Sequence, residues 1–226
     1  LATEDANGTN TAIGYQSLKT LNAGADGNNT AVGYIAGVFL TTGVNNTLIG
    51  SLAGDALTEG GNNTALGFQA LSADTLGSRN TAIGYNTLLV QNFTSATNSY
   101  NVAMGHDAGR AITTGIFNTL IGSLAGDALS DADTNVAIGA SALTTDTKGS
   151  KSTAVGHSAL EAQNFTSSTT TYNTAIGSDA GKAITTGIKN TIVGSSAGTS
   201  LQTGEYNVII GYACQVAGAS TGTSIV

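Results

Sequence analysis

The chain of 226 residues has no proline and no tryptophan, one cysteine, one methionine and two histidines. A lone Cys214 excludes an intrachain disulfide framework and a zinc site built on cysteines; a small buried side chain is its simplest role. His106 and His157 share no acidic partner at ligand spacing, so a surface or packing role is expected for both and no metal site is assigned. Charge is also scarce, at 9% of residues, with seven Lys and Arg against fourteen Asp and Glu and a net charge of −7. The basic residues (Lys19, Arg79, Arg110, Lys148, Lys151, Lys182 and Lys189) are scattered, without the cluster that a grip on nucleic acid needs. No apolar run approaches the roughly 18 residues of a membrane-spanning helix, and no signal peptide is visible. Aromatics make up only 5%, too few for a large globular core.

Gly, Asn, Thr, Ser and Ala fill the space, and they come in a fixed order. Asn10-Thr11-Ala12-Ile13-Gly14 returns until there are twelve copies, led by Asn10, Asn29, Asn46, Asn63, Asn80, Asn101, Asn118, Asn135, Ser152, Asn173, Asn190 and Asn207. The step is 17 residues except for one of 19 and two of 21, and a period this regular means a repeat architecture. Gly and Asn at every turn of the period, beside β-branched residues, disfavour helix and favour short strands joined by tight corners.

Within a copy the second residue is Thr or Val, the third mostly Ala, the fourth always a large aliphatic and the fifth always Gly. Strand alternation puts Thr and Ile on one face and Ala and Gly on the other. The exchange of Thr for Val suggests that the Thr/Ile face is the coil interior, leaving a flat Ala/Gly face for close approach of another strand or chain. A second run follows each motif, as in Val38-Phe39-Leu40-Thr41-Thr42 and Ala111-Ile112-Thr113-Thr114, and ends at Gly43, Gly115 or Gly187. The expected fold class is therefore all-β: a parallel β-roll or β-solenoid of 17-residue coils with two short strands per coil. The expected structural residues are Asn10, Ile13, Gly14, Asn46, Ile49, Gly50, Asn118, Ile121, Gly122, Asn190, Val193 and Gly194.

A slower beat overlies the coil. Asn29, Asn101 and Asn173 are 72 residues apart, and Asn46–Leu57 is identical to Asn118–Leu129. Near-duplicate insertions, Gln91-Asn92-Phe93-Thr94-Ser95 to Tyr100 and Gln163-Asn164-Phe165-Thr166-Ser167 to Tyr172, follow the fifth and ninth motifs. The ninth residue of the repeat runs Leu18, Gly37, Gly54, Leu71 and starts again at Leu88 and Leu160. Coils rising about 4.8 Å each would make twelve span on the order of 53 Å, with the insertions roughly 19 Å apart. Leu1 matches an interior position and Ser224-Ile225-Val226 the start of a thirteenth strand, so residues 1–226 are expected to be one continuous solenoid segment that opens and closes in mid-repeat. A coil this thin buries few side chains, and self-association, with a homotrimer as the usual solution, would thicken the core.

The motif resembles the Asn-Ser-Val-Ala-Ile-Gly repeat of trimeric autotransporter adhesin heads, which are parallel β-rolls. The longer pattern Thr41-Thr42-Gly43-Val44-Asn45-Asn46-Thr47-Leu48-Ile49-Gly50, repeated from Thr113 to Gly122, is closer still to repeats of phage tail-fibre-like proteins and related surface fibres. The likeness covers the whole chain. It implies an extracellular homotrimeric shaft, on a virion or a cell surface, for attachment to a host glycan or receptor. The coils are longer than those of adhesin heads, which implies a wider roll.

No catalytic constellation is present and no cofactor is expected, and Asp55 and Asp127 recur in register as solvated acids without a calcium-loop pattern. Asn-x-Thr sequons at Asn28, Asn45, Asn62, Asn92 and Asn164 mostly fall out of the repeat. Phe93, Tyr100, Phe165 and Tyr172 are the candidate surface contacts, as aromatics on protruding loops. Behind the structural and adhesive fibre stand two further functions. One is an ice-binding solenoid carrying a threonine ladder, disfavoured by Val in place of Thr at three copies, by the inward assignment of that face and by the single regular Thr per strand. The other is a polysaccharide-active enzyme, disfavoured by sparse carboxylates.

Overall fold

A computed structural model describes residues 8–23, 26–216 and 225. Leu1, Ser224 and Val226 lie outside the described residues. In chain order the strands are β1 (Thr11–Ile13), β2 (Thr30–Val32), β3 (Thr47–Ile49), β4 (Thr64–Leu66), β5 (Gly77–Ser78), β6 (Thr81–Ile83), β7 (Thr97–Asn98) and β8 (Val102–Met104). They continue as β9 (Thr119–Ile121), β10 (Val136–Ile138), β11 (Gly149–Ser150), β12 (Thr153–Val155), β13 (Thr169–Thr170), β14 (Thr174–Ile176), β15 (Thr191–Val193) and β16 (Val208–Ile210). Each motif is one three-residue strand, and the twelve motif strands stack into a single parallel sheet in sequence order. Thr11 faces Thr30, Ala12 faces Ala31 and Ile13 faces Val32, and this register holds along the stack. Ile225 adds a parallel bridge to Val208, where a thirteenth rung is expected. The chain is a parallel β-solenoid of about twelve turns.

Among the described residues the second run after each motif does not form a strand. Leu18 and its counterparts in other coils hold left-handed φ, as at Leu71 (57°) and Leu88 (50°), and turn the chain out of the extended region just before the second run. The run still bonds from coil to coil, Phe39 N–H to Asp55 O at 3.3 Å and Thr41 N–H to Thr58 O at 2.9 Å. Among the described residues a second ladder exists only as the pairs β5–β7 and β11–β13, both beside the insertions.

The strand faces are the reverse of the sequence expectation. Ala31, Leu48, Ala65, Ala82, Ala103 and Leu120 point into the coil and are fully buried, while the Thr/Ile face looks outward. The reason is volume. The interior is already filled by Leu18, Leu71 and Leu88 from the ninth position and by Leu21, Leu40 and Leu57 from the twelfth, so most strands can offer it only a methyl group.

The same packing accounts for the slow beat. A Cβ on Gly37 would lie 2.7 Å from Leu48 Cδ1, and one on Gly54 would lie 2.8 Å from Leu48 Cδ2. Leu48 is therefore the large residue that two flanking glycines admit. Leu120 sits likewise between Gly109 and Gly126, and Ile192 between Gly181 and Gly198. Where the ninth position is Leu, the strand carries Ala. Core volume is shared between neighbouring coils in a four-coil cycle rather than balanced coil by coil.

Candidate functional site

The solenoid has a polar spine beside its apolar core. From Asn29 on the leading Asn is buried, and where the coil before also leads with Asn its backbone N–H donates to that Asn's side-chain oxygen, as from Asn46 to Asn29 at 2.9 Å and from Asn63 to Asn46 at 3.0 Å. The side-chain amide donates across the coil to a backbone carbonyl, Asn46 Nδ2 to Gly60 O at 3.0 Å and Asn118 Nδ2 to Ala132 O at 2.8 Å. Burial without partners would cost these amides dearly, so the ladder pins each corner at one angle.

The spine branches where the insertions leave. At the twelfth position, where other coils bury Leu or Ile, two adjacent coils carry Asp74 and Gln91, and four coils later Asp146 and Gln163; all four are fully buried. Gln91 Nε2 donates to Asp74 Oδ2 at 2.6 Å, and Asn101 Nδ2 donates to Gln91 Oε1 at 2.8 Å. The other Asp74 oxygen accepts the backbone N–H groups of Gly77 at 2.9 Å and Phe93 at 3.3 Å. Asp146 repeats this with Gly149, Phe165 and Gln163. Each buried carboxylate thus clamps the root of an insertion to the coil beneath it.

That clamp corrects two of the four candidate contacts. Phe93 and Phe165 fold back over the coil and are only 6% and 8% exposed, because the N–H groups that anchor them belong to the same residues. Tyr100 and Tyr172, at the far roots of the insertions, remain 42% and 53% exposed. The protruding tips are Thr94, Ser95 and Ala96, and Thr166, Ser167 and Ser168.

Burial pushes the Asp74 carboxyl above its ordinary value of 3.8, against hydrogen bonds from Gln91 and backbone N–H groups that pull it down. A raised folded-state value means that the native state holds the proton more tightly than the unfolded chain does. Stability should therefore rise as pH falls from neutral through the raised value towards 3.8, and level off below it. Urea melts across that window should show this slope, and Asp74→Asn should reduce it. Asp55, expected as a solvated acid, is half-buried and accepts Ser72 Oγ at 2.5 Å from the next coil; burial raises it too. Asp127 makes the equivalent bond with Thr144. His106 stacks on Tyr85 at 5.2 Å, with its Nδ1 3.3 Å from Asp107, and His157 is exposed. Cys214 is half-buried against the core.

Two surfaces remain for contact with something else. The first is the outer sheet face. Ile13 (60% exposed), Leu66, Met104, Ile138, Ile176 and Ile210 (57%) stand out of it along the whole stack, with Val32, Ile49, Ile83, Ile121, Val155 and Val193 half-buried between them. Beside it run the stacked rings of Tyr15 and Tyr34 (5.5 Å between centroids) and of Phe68 and Tyr85 (5.4 Å).

The second surface is the column of residues just before each motif, of which sequence reasoning singled out only Tyr100 and Tyr172 as contacts. Here the backbone is left-handed in every described coil from Asn28 (φ 48°) to Tyr206 (φ 59°). Asn, which tolerates that region, occupies Asn28, Asn45 and Asn62; beyond them stand Arg79, Tyr100, Phe117, Thr134, Lys151, Tyr172, Lys189 and Tyr206. Large side chains in this conformation cost about 1 kcal/mol each over the relaxed alternative.

No family model, curated protein or solved structure matches this chain. Among the described residues no pocket is present, and no three His, Cys, Asp or Glu side chains come together as metal ligands. No helix among them is long and apolar enough to cross a membrane.

Proposed function

We propose that the chain is a segment of a stiff, self-associating fibre shaft, a homotrimer working outside the cell in attachment, on a virion tail fibre or a cell surface. The supporting observation is the uninterrupted row of outward aliphatic side chains along the twelve-stranded sheet. A contiguous apolar strip of this length is more than an isolated soluble chain ordinarily leaves in water. Covering it with copies of the same chain would add a second core to a solenoid whose own interior is narrow. The interface this reading requires is the Thr/Ile face; the Ala/Gly face, expected to serve, is occupied within the coil. The unbroken register and the asparagine spine supply stiffness, and the resemblance to fibre repeats fits the same use.

Sedimentation at micromolar concentration tests it. A homotrimer is expected, and the pair Ile121→Lys with Ile138→Lys should give monomers with unchanged circular dichroism, since neither side chain faces the core. A wild-type chain that sediments as a monomer would sink the reading.

One observation favours a second use of the same face. The nine motif threonines point outward at strand spacing, which removes the objection drawn from the inward face; Val102, Val136 and Val208 still interrupt the row, and each strand offers one regular Thr. Thermal hysteresis in a monomeric wild-type sample would move the assignment there.

A further inference from the structure

We propose that the left-handed column carries two related sites for an acidic polysaccharide, each built on a cation over a tyrosine at the root of an insertion. In the first, Arg79 lies over the Tyr100 ring at 5.4 Å, and its Nε donates to Asn98 Oδ1 at 3.1 Å. Asn98 is delivered by the insertion itself, through the pairing of β7 with β5. Phe117 stacks on the other side of Tyr100 at 5.4 Å. In the second site Lys151 lies over the Tyr172 ring at 5.4 Å, and Lys189 lies over Tyr206 at 4.7 Å and donates to its hydroxyl at 2.7 Å.

Three features point to a ligand rather than to packing. The same pair, a cation over a tyrosine, recurs 72 residues on, in a super-repeat that has changed at ten of the twenty positions between the two. The side chains are exposed and add nothing to the core. They also occupy backbone positions that favour Asn, so something other than local stability has selected them. In a chain of net charge −7 with seven basic residues, three of the seven stand in this column, with Glu205 next to Tyr206 as a neighbouring acid.

The geometry also narrows the ligand. Arg79 and Phe117 both lie against the Tyr100 ring, Lys151 lies over Tyr172, and Lys189 engages Tyr206 and its hydroxyl, so the column offers mainly ring edges, the Tyr100 and Tyr172 hydroxyls and the cations. Such a surface offers hydrogen bonds and ion pairs and has little room for a sugar stacked flat. A polymer with carboxylates and hydroxyls in every unit fits it, and two sites roughly 19 Å apart on one rigid edge would hold such a chain with avidity.

This site rests on the attachment half of the reading above. The test is titration of the full chain with polygalacturonate, with neutral dextran as control, at low and high salt. Binding of polygalacturonate but not dextran is expected, weakening as salt rises. Arg79→Gln with Lys151→Gln should lower affinity about tenfold or more and flatten the salt dependence. Tyr100→Asn with Tyr172→Asn should also weaken binding while leaving the melting temperature the same or higher, because Asn suits the left-handed backbone. Lys151→Arg should retain binding. No binding of polygalacturonate, equal binding of dextran, or double variants that bind as the wild type does would each overturn the site. A trimer that ignores polygalacturonate would leave the shaft standing and remove the site; a monomer that binds it would do the reverse.

Discussion

Gly67→Ala is expected to destabilise the solenoid by about 4–5 kcal/mol, at the top of the range for one methyl group. Gly67 holds φ at +142°, where an L side chain is strained, and a Cβ there would lie 2.2 Å from the carbonyl oxygen of Gly84. That oxygen belongs to the equivalent glycine of the next coil, whose own Cβ would strike Gly105 O at 2.5 Å. The clash is with backbone that the whole stack holds in place, so no side chain can move aside to relieve it. This is why the fifth motif residue is Gly in every copy. Urea denaturation followed by circular dichroism gives the measurement. Gly61→Ala is the companion: its φ is ordinary and its Cβ would sit 3.0 Å from Val44 O, so a far smaller loss is expected. Equal losses for the two would show that the glycine stack does not set the coil spacing.

The second large effect is expected in the spine. Asn46→Ala leaves the Gly60 carbonyl and the Asn63 N–H buried without partners, each worth about 1–3 kcal/mol, for a loss of about 3–4 kcal/mol. The chain already contains a natural variant of this position, and it shows where the ladder can give. Ser152 stands in for Asn, and its hydroxyl is completed by Thr171 Oγ1 at 2.5 Å and Gln163 Nε2 at 2.9 Å. Asn80, four coils earlier, has the matching Gln91 and Ser99 nearby, so Asn80→Ser is expected to cost under about 1 kcal/mol. The twelfth position of the Asn46 coil is Leu57, which offers no replacement donor, and Asn46→Ser should cost nearly as much as Asn46→Ala. The difference between the two serine variants, read from paired urea melts, is the test; equal costs would mean that the glutamine branch does not support the spine.

Both effects are local to one coil and are felt along the stack, because every coil bonds only to its neighbours. Failure of one rung removes the template for the next. The outer face behaves differently. Lysines at Ile121 and Ile138 point away from the core, so they can test association without touching the fold.

The sequence by itself determined the period, the position of every motif strand and the parallel register, because a strict repeat with Gly and Asn corners admits only stacking in order. It also marked the four-coil beat and the insertions. The inward or outward sense of each strand was decided only by the tertiary structure. Alternation sorts residues into two sets but carries no sign; the sign came from the volume that Leu18, Leu21 and their counterparts already occupy inside the coil. The fate of Phe93 and Phe165 was set in the same way, by a buried Asp one coil below that claims their backbone N–H groups. The cation–tyrosine column depended on it most. Its members share one place in the repeat but differ in type, and the structure shows that a common left-handed backbone turns them out along one edge, cation against ring.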